Sequence, residues 1–165
     1  MKKALCIVGC CLGFSGSIDL ACAQQLPKTG TINFHTGWGK ATGSDLEVAP
    51  KRVQGAGVLT GVTFNDKGSG PLHQGPATCS YVYFAIEGQA KSKNICAWGD
   101  ADGDRIFTES NNVTGSPDGW AGGLNEIIGG TGKYTGITGK GPWKTKYSSR
   151  NGESWSVQQL EYRLP

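Results

Sequence analysis

The sequence predicts an all-β fold, an eight-stranded antiparallel barrel, from three observations. Glycine occurs 27 times in 165 residues and recurs every few positions. No stretch of about a dozen residues carries apolar side chains at helical spacing without a glycine interrupting it. Short strand-like runs separated by turn residues fill the chain instead, at the regular spacing expected of an antiparallel sandwich or barrel.

The strand-like runs can be followed in order along the chain. The first, residues 31–38, alternates and places four side chains on one face: Ile32, Phe34, Thr36 and Trp38. The later runs are residues 53–64, 79–87, 93–98, 105–110, 119–128, 134–143 and 155–164. Asn151-Gly152, between the last two runs, is a strong hairpin signal. Glycines within the strands favour a closed barrel, because they permit bends and close contacts at barrel corners.

The N-terminal segment has the three regions of a secretory signal peptide. Lys2 and Lys3 precede an apolar run, residues 4–14, that is shorter than the roughly 20 residues needed to span a bilayer. The A-x-A motif Ala21-Cys22-Ala23 follows as a cleavage site. We therefore expect residues 1–23 to be removed, with a buried N-terminal element or a lipid on Cys10 or Cys22 as the alternatives. Residues 24–165 are expected to form one soluble domain, exported to the periplasm or secreted by a bacterium, with no membrane span.

Two cysteines, Cys79 and Cys96, lie outside the predicted signal peptide. An exported chain with two cysteines usually joins them, so we predict a disulfide, with two buried thiols as the alternative. A hairpin turn near Glu87-Gly88 would place the two residues opposite each other. A turn near residues 91–92 would not.

The stretch IGGTGKYTG, residues 128–136, resembles a phosphate-binding loop only superficially. In a P-loop, Ser or Thr follows Gly-Lys, but Tyr134 follows Lys133 here, and Ile127 stands where the first glycine belongs. We therefore interpret the stretch as a turn between strands. The net charge of +3 is carried by scattered residues, which excludes the basic footprint of a nucleic-acid partner.

The stretch DADGD, residues 100–104, offers carboxylates at alternate positions, as calcium loops do. Its glycine is fourth, whereas an EF-hand loop has glycine at the sixth position. A polar hairpin turn is the favoured interpretation, with a weak surface calcium site as the alternative. We expect no metal and no cofactor.

The segment GGTGKYTGITGKG, residues 129–141, resembles the hairpin of the allene oxide cyclase-like and dirigent-like barrels and their bacterial relatives. Those proteins are eight-stranded antiparallel barrels with a central cavity. The resemblance implies a calycin-like barrel that holds a small, mostly apolar molecule. The plant cyclases close a ring in an unstable oxylipin, and dirigent proteins steer radical coupling. No catalytic residue of either family can be matched to a position of this chain.

Aromatic residues on strands are the candidate ligand contacts: Phe34, Tyr81, Tyr83 and Trp98. Glu126, Glu161 and His35 are candidate acid-base residues, provided that they face the barrel interior. The leading hypothesis is a binding protein for a small hydrophobic or aromatic molecule. A cofactor-free isomerase or cyclase and a structural protein with a filled barrel are the alternatives. The oligomeric state is left open.

Overall fold

The computed structural model describes residues 26–115, 120–147 and 153–165. It shows a closed antiparallel barrel in which each strand pairs with the next and the last pairs with the first, which confirms the predicted fold class. The strands are β1 (Thr29–Ala49), β2 (Arg52–Asn65), β3 (Gly75–Ile86), β4 (Gln89–Gly99), β5 (Arg105–Gly115), β6 (Trp120–Gly130), β7 (Thr138–Tyr147) and β8 (Ser154–Arg163).

Because consecutive strands are antiparallel, their connections alternate between the two ends of the barrel. The hairpin end carries the β1–β2 turn at Pro50-Lys51 and the β3–β4 turn at Glu87-Gly88. Asn151-Gly152, the predicted β7–β8 turn, lies outside the described residues. The loop end carries the three connections at residues 66–74, 100–104 and 131–137.

Burial alternates along the strands with the period of two that a barrel wall requires. The predicted inner face of β1, from Ile32 to Trp38, is buried at every second residue. On β3, Cys79, Tyr81 and Tyr83 face inward, whereas the outward side chains are exposed and apolar: Val82, Phe84 and Ile86. Both faces of β3 are apolar, so the sequence pattern alone leaves its orientation undetermined.

The disulfide prediction is confirmed. Cys79 on β3 lies directly opposite Cys96 on β4, and their sulfur atoms are bonded with a Cα–Cα distance of 4.1 Å. The β3–β4 turn is at Glu87-Gly88, the position that this pairing requires. The bond therefore joins two neighbouring strands within the barrel wall, on its inner face.

The loop half of the barrel is filled. Trp98 is almost fully buried and contacts Phe34 and Trp38 edge to face, with ring centroids 5.2 and 5.5 Å away. Other buried apolar side chains complete this core: Ile32, Leu72, Ile106, Tyr134, Ile137 and Leu160. Burial of each such side chain stabilises the fold by roughly 1.5–3 kcal/mol relative to exposure.

Glycines on β2 make room for tyrosine rings. A Cβ atom on Gly57 would lie 2.5 Å from Tyr81 Oη and 2.5 Å from the Thr42 carbonyl oxygen. The Tyr83 ring and the Asp45 carboxylate both occupy the space over Gly55. The close-contact role expected of strand glycines is therefore filled by aromatic rings lying across the inner face of β2 near the hairpin end.

Within the described residues, no helix has the length and apolar character to cross a membrane.

Candidate functional site

A half-open cavity lies inside the barrel, in its hairpin half. Its volume is about 50 Å³, and the filled loop half closes it below. The lining side chains come from seven strands: Trp38, Leu59, Cys79, Cys96, Trp98, Asn125, Trp143, Thr145, Ser154, Ser156 and Gln158. Apart from the disulfide-bonded cysteines, none of these lining residues is ionisable. The cavity is much smaller than the roughly 300–1,000 Å³ typical of pockets that enclose a drug-sized ligand.

One wall of the cavity is a hydrogen-bonded network. Asn125 Nδ2 donates to Gln158 Oε1 at 2.9 Å, and Gln158 Nε2 donates to Ser156 Oγ at 2.8 Å. Trp38 Nε1 also donates to Ser156 Oγ at 2.8 Å. Since this oxygen receives two N–H donors, the Ser156 hydroxyl proton must point away from both of them. The network keeps buried polar groups paired and fixes the Trp38 ring.

A second pair of contacts fixes the other indole rings of the cavity. Trp143 Nε1 donates to Ser110 Oγ at 2.8 Å, and Trp98 Nε1 donates to Thr108 Oγ1 at 2.8 Å. Each cavity tryptophan thus has its polar atom engaged with a wall hydroxyl. What the rings offer to a ligand is apolar, aromatic surface.

Two of the predicted ligand contacts lie at the mouth and two in the core. Tyr81 and Tyr83 are half-buried, and their rings stack with centroids 6.4 Å apart. Trp98 forms part of the cavity floor, and Phe34 packs beneath it with no solvent-exposed surface. Trp98 is therefore the one of the four that lines the cavity. Tyr81 and Tyr83 follow Cys79 on the inner face of β3, towards the hairpin end, and Phe34 is separated from the cavity by Trp98.

The three candidate acid-base residues lie on the outer surface. Glu126 and Glu161 alternate with buried neighbours on β6 and β8 and are exposed. His35 is exposed on β1, where its Nδ1 lies 2.8 Å from Asp66 Oδ1. A catalytic role for these three residues required side chains that face the barrel interior, and all three face outward. The physical reason is strand alternation: Ile127, Leu160 and Phe34 take the adjacent inward positions.

The glycine-rich stretch forms a turn that is locked to the DADGD stretch. Between β6 and β7 the chain makes a short 3₁₀ turn, Gly132–Tyr134. Lys133 Nζ lies 2.6 Å from Asp100 Oδ2 and 2.7 Å from Asp102 Oδ2. The lysine ammonium group thus occupies the position between carboxylates that a cation would take. Within the described ranges, no group of three or more His, Cys, Asp or Glu side chains is arranged to hold a metal ion.

Asp100 is the centre of a cluster of contacts, here called the loop-end lock, that also includes Leu72, Asp102, Lys133 and Tyr134. It is buried and accepts hydrogen bonds from the Leu72 backbone N–H and from Tyr134 Oη. Burial, and then the neighbouring Asp100, raise the pKa of Tyr134 far above its usual 10.0. The hydrogen bond from Lys133 lowers the pKa of Asp102 below 3.8. The lock therefore joins all three loop-end connections through one carboxylate and has a structural role.

Sequence reasoning did not single out most of the cavity wall. Ser154, Ser156 and Gln158 alternate on the same face of β8 as Leu160 and Tyr162. Polar residues that continue an otherwise apolar face are the signal for a partly polar interior. In the sequence, that signal is hidden because Trp155 and Val157, on the other face, are also apolar.

The fold has a counterpart among solved structures. The structure of the pterocarpan synthase dirigent protein GePTS1 matches with a TM-score of 0.52 over 98% of this chain and 98% of that chain, at 12% sequence identity. No family model matches the sequence, and neither does any curated protein. At this identity the likeness shows the fold alone. The chain thus has a dirigent-like barrel fold, with the partly filled interior described above.

Proposed function

We propose that this protein binds a small apolar or aromatic molecule at the hairpin end of its barrel. The observation that carries the proposal is the half-open cavity with indole rings in its wall and no ionisable lining side chain. Such a surface favours apolar contact over proton transfer. The dirigent-like fold of the structural match supports a small-molecule role but does not fix one, because one fold serves many functions.

The size of the cavity limits how the ligand binds. A volume of about 50 Å³ admits only the end of an aromatic molecule. The remainder would lie against the Tyr81 and Tyr83 rings, which stack on each other on the inner face of β3 near the hairpin end. We therefore expect a narrow, flat ligand, inserted end first.

The disulfide is consistent with an exported protein, since such bonds persist in oxidising compartments. We propose that residues 1–23 act as a signal peptide and that the barrel functions outside the cytoplasm. N-terminal sequencing of the exported protein tests this proposal. A first residue of Gln24 is expected, and an intact Met1 would contradict it.

The first test of the binding proposal is native mass spectrometry of the protein from its exported fraction. A stoichiometric added mass would identify the ligand class. A bare barrel would be titrated with 4-ethylphenol, a narrow aromatic probe, and followed by tryptophan fluorescence, since three of the five tryptophans line the cavity: Trp38, Trp98 and Trp143. Absence of both an added mass and a saturable fluorescence change would contradict the proposal.

A matched pair of variants localises the binding. Leu59→Phe places an aromatic ring in the cavity, whereas Val58→Phe places the same ring on the outer face of the same strand. We expect Leu59→Phe to weaken 4-ethylphenol binding at least about tenfold, a loss of about 1.4 kcal/mol, and Val58→Phe to leave it unchanged. Equal binding by both variants would place the ligand elsewhere.

The isomerase alternative requires a proton donor or acceptor at the bound ligand. The carboxylate of Asp45 lies over Gly55, on the inner face of the barrel near the hairpin end. Glu126 and Glu161 are on the outer surface, away from the cavity. Glu126→Gln and Glu161→Gln are therefore expected to leave ligand binding and any turnover unchanged. If either substitution abolished turnover of a bound molecule, the acid-base role of that residue would be restored.

A further inference from the structure

The outer surface of the barrel carries an aromatic and cationic platform on β6, β7 and β8. Trp155 is 44% exposed, and its ring meets that of Trp120 edge to face, with centroids 5.1 Å apart. Lys146 lies between them, paired with Trp120 on one side and with Trp155 on the other. Tryptophan is enriched at interfaces, because its ring supplies a large apolar area and its N–H a polar contact.

Two lysines are held at this platform. Lys144 Nζ lies 4.9 Å and Lys146 Nζ 5.6 Å from the centre of the Trp120 ring, both within cation–π distance. Among the described residues, neither lysine forms a salt bridge. The platform thus presents two positively charged groups beside an aromatic ring.

A groove of about 330 Å³ continues from the platform along the outside of the barrel. Lys144 lines it together with Val157, which is its partner on β8. The amides of Asn33 and Gln159 lie one row further, directly opposite each other on β1 and β8. Asp66, held by His35, lies at the rim of the groove.

The surface of β1 next to Trp155 is open. Its partner on β1 is Gly37, where an added Cβ atom would meet nothing within 4 Å. The open space over Gly37 therefore leaves room for a ligand beside the exposed indole of Trp155.

We propose that this platform and groove bind uronate-bearing oligosaccharides. One pyranose ring stacks on Trp155, because its axial C–H bonds face the electron-rich surface of the indole. The ring carboxylate pairs with Lys144 or Lys146. Hydroxyl groups of the adjoining sugar hydrogen-bond with the Asn33 and Gln159 amides, which supply both donors and acceptors.

Charge and composition favour this ligand over a nucleic acid. Strong binding to a nucleic acid needs several phosphate contacts and a series of stacking rings. Here the exposed ring is that of Trp155, two cations adjoin it, and the whole chain carries a net charge of +3. Amides at the groove suit the many hydroxyl groups of a sugar.

Isothermal titration of the purified protein with tetragalacturonate tests the proposal, with maltotetraose as the neutral probe and a dodecathymidylate as the nucleic-acid probe. We expect saturable binding of tetragalacturonate that weakens as salt is added. Maltotetraose should bind at least about tenfold more weakly than tetragalacturonate. No binding of tetragalacturonate, equal binding of maltotetraose, or tighter binding of the oligonucleotide would overturn it.

Three variants locate the site, each with its fold checked by thermal unfolding. Trp155→Ala should weaken tetragalacturonate binding about tenfold or more, and Lys144→Gln with Lys146→Gln should abolish the salt dependence. Gly37→Val should block binding without removing any contacting group. Lys140→Gln, an exposed lysine further along β7 beside Glu161, is the matched control and should bind normally. Wild-type affinity in a folded Trp155→Ala protein would overturn the assignment.

Discussion

Trp38 and Ser156 are 118 residues apart in sequence, yet the Trp38 indole N–H donates a 2.8 Å hydrogen bond to the Ser156 hydroxyl inside the barrel. The bond crosses the seam between β1 and β8, where the barrel closes. Ser156 also accepts a hydrogen bond from Gln158. One small side chain therefore satisfies two buried donors at the junction of the first and last strands.

Ser156→Ala should destabilise the protein by about 2–4 kcal/mol, because it leaves two buried N–H groups without an acceptor. Urea unfolding followed by tryptophan fluorescence would measure the change. Ser80→Ala, at an exposed position on β3, is the control and should alter stability by less than about 0.5 kcal/mol. A loss below about 1 kcal/mol for Ser156→Ala would mean that water replaces the hydroxyl group.

Replacing Cys79 and Cys96 together by serine should lower the free energy of unfolding by about 3 kcal/mol. The bonded residues are 17 positions apart, and a crosslink closing a loop of about that length removes this much chain entropy from the unfolded state. Unfolding of the wild type with and without dithiothreitol gives an independent measure. Agreement between the two losses is expected, and a double variant as stable as the oxidised wild type would contradict the estimate.

Stability should fall in alkaline solution because of the loop-end lock. Burial and Asp100 raise the pKa of Tyr134, so the folded protein keeps a proton that the unfolded chain releases above about pH 10. Lys133 acts in the same direction: burial lowers its pKa, but Asp100 and Asp102 outweigh burial and raise it above 10.5. The stabilisation from both groups is present below pH 10 and is lost as the pH rises.

The Tyr134→Phe variant tests this origin of the alkaline loss. Its thermal midpoint should be lower than that of the wild type near neutral pH, because the hydrogen bond to Asp100 is absent. Between about pH 9 and pH 11 its midpoint should fall less steeply than that of the wild type. Equal slopes for the two proteins would assign the alkaline loss to other groups.

Gly57→Ala should cost about 1–3 kcal/mol, because the added methyl group would meet Tyr81 and the backbone of Thr42. Gly37→Ala is the matched strand control, since its methyl group would enter open space. Thermal unfolding of both variants measures the contrast. Equal midpoints would mean that the Tyr81 ring shifts aside at no cost.

Much of the fold follows from strand periodicity. The alternation from Ile32 to Trp38 predicts the inner face of β1. For Cys79 and Cys96 the sequence leaves two turn positions open, and the turn at Glu87-Gly88, which pairs them, is the one that the chain forms. The strand β1 nevertheless runs to Ala49, well beyond the predicted residue 38. From residue 41 to residue 48 it is exposed on both faces, so no apolar alternation marks it.

The site was harder to predict than the fold, because it depends on which face of each strand turns inward. Tyr81 and Tyr83 share a face that could have pointed either way, since Val82 and Phe84 are equally apolar. Glu126 and Glu161 lie in apolar surroundings in the sequence but alternate outward in the barrel. The polar cavity wall brings Asn125 together with Gln158, a contact between β6 and β8 that no local pattern encodes.

The pairing of β1 with β8 also governs the order of events during synthesis. The backbone groups on one edge of β1 find their partners on a strand that is made last. Until then, that edge is exposed and able to pair with other chains. Barrel closure must therefore follow synthesis of β8 and is expected to be a slow step, because it pairs the first strand of the barrel with the eighth. A chain stalled before residue 154 would be unable to form this seam.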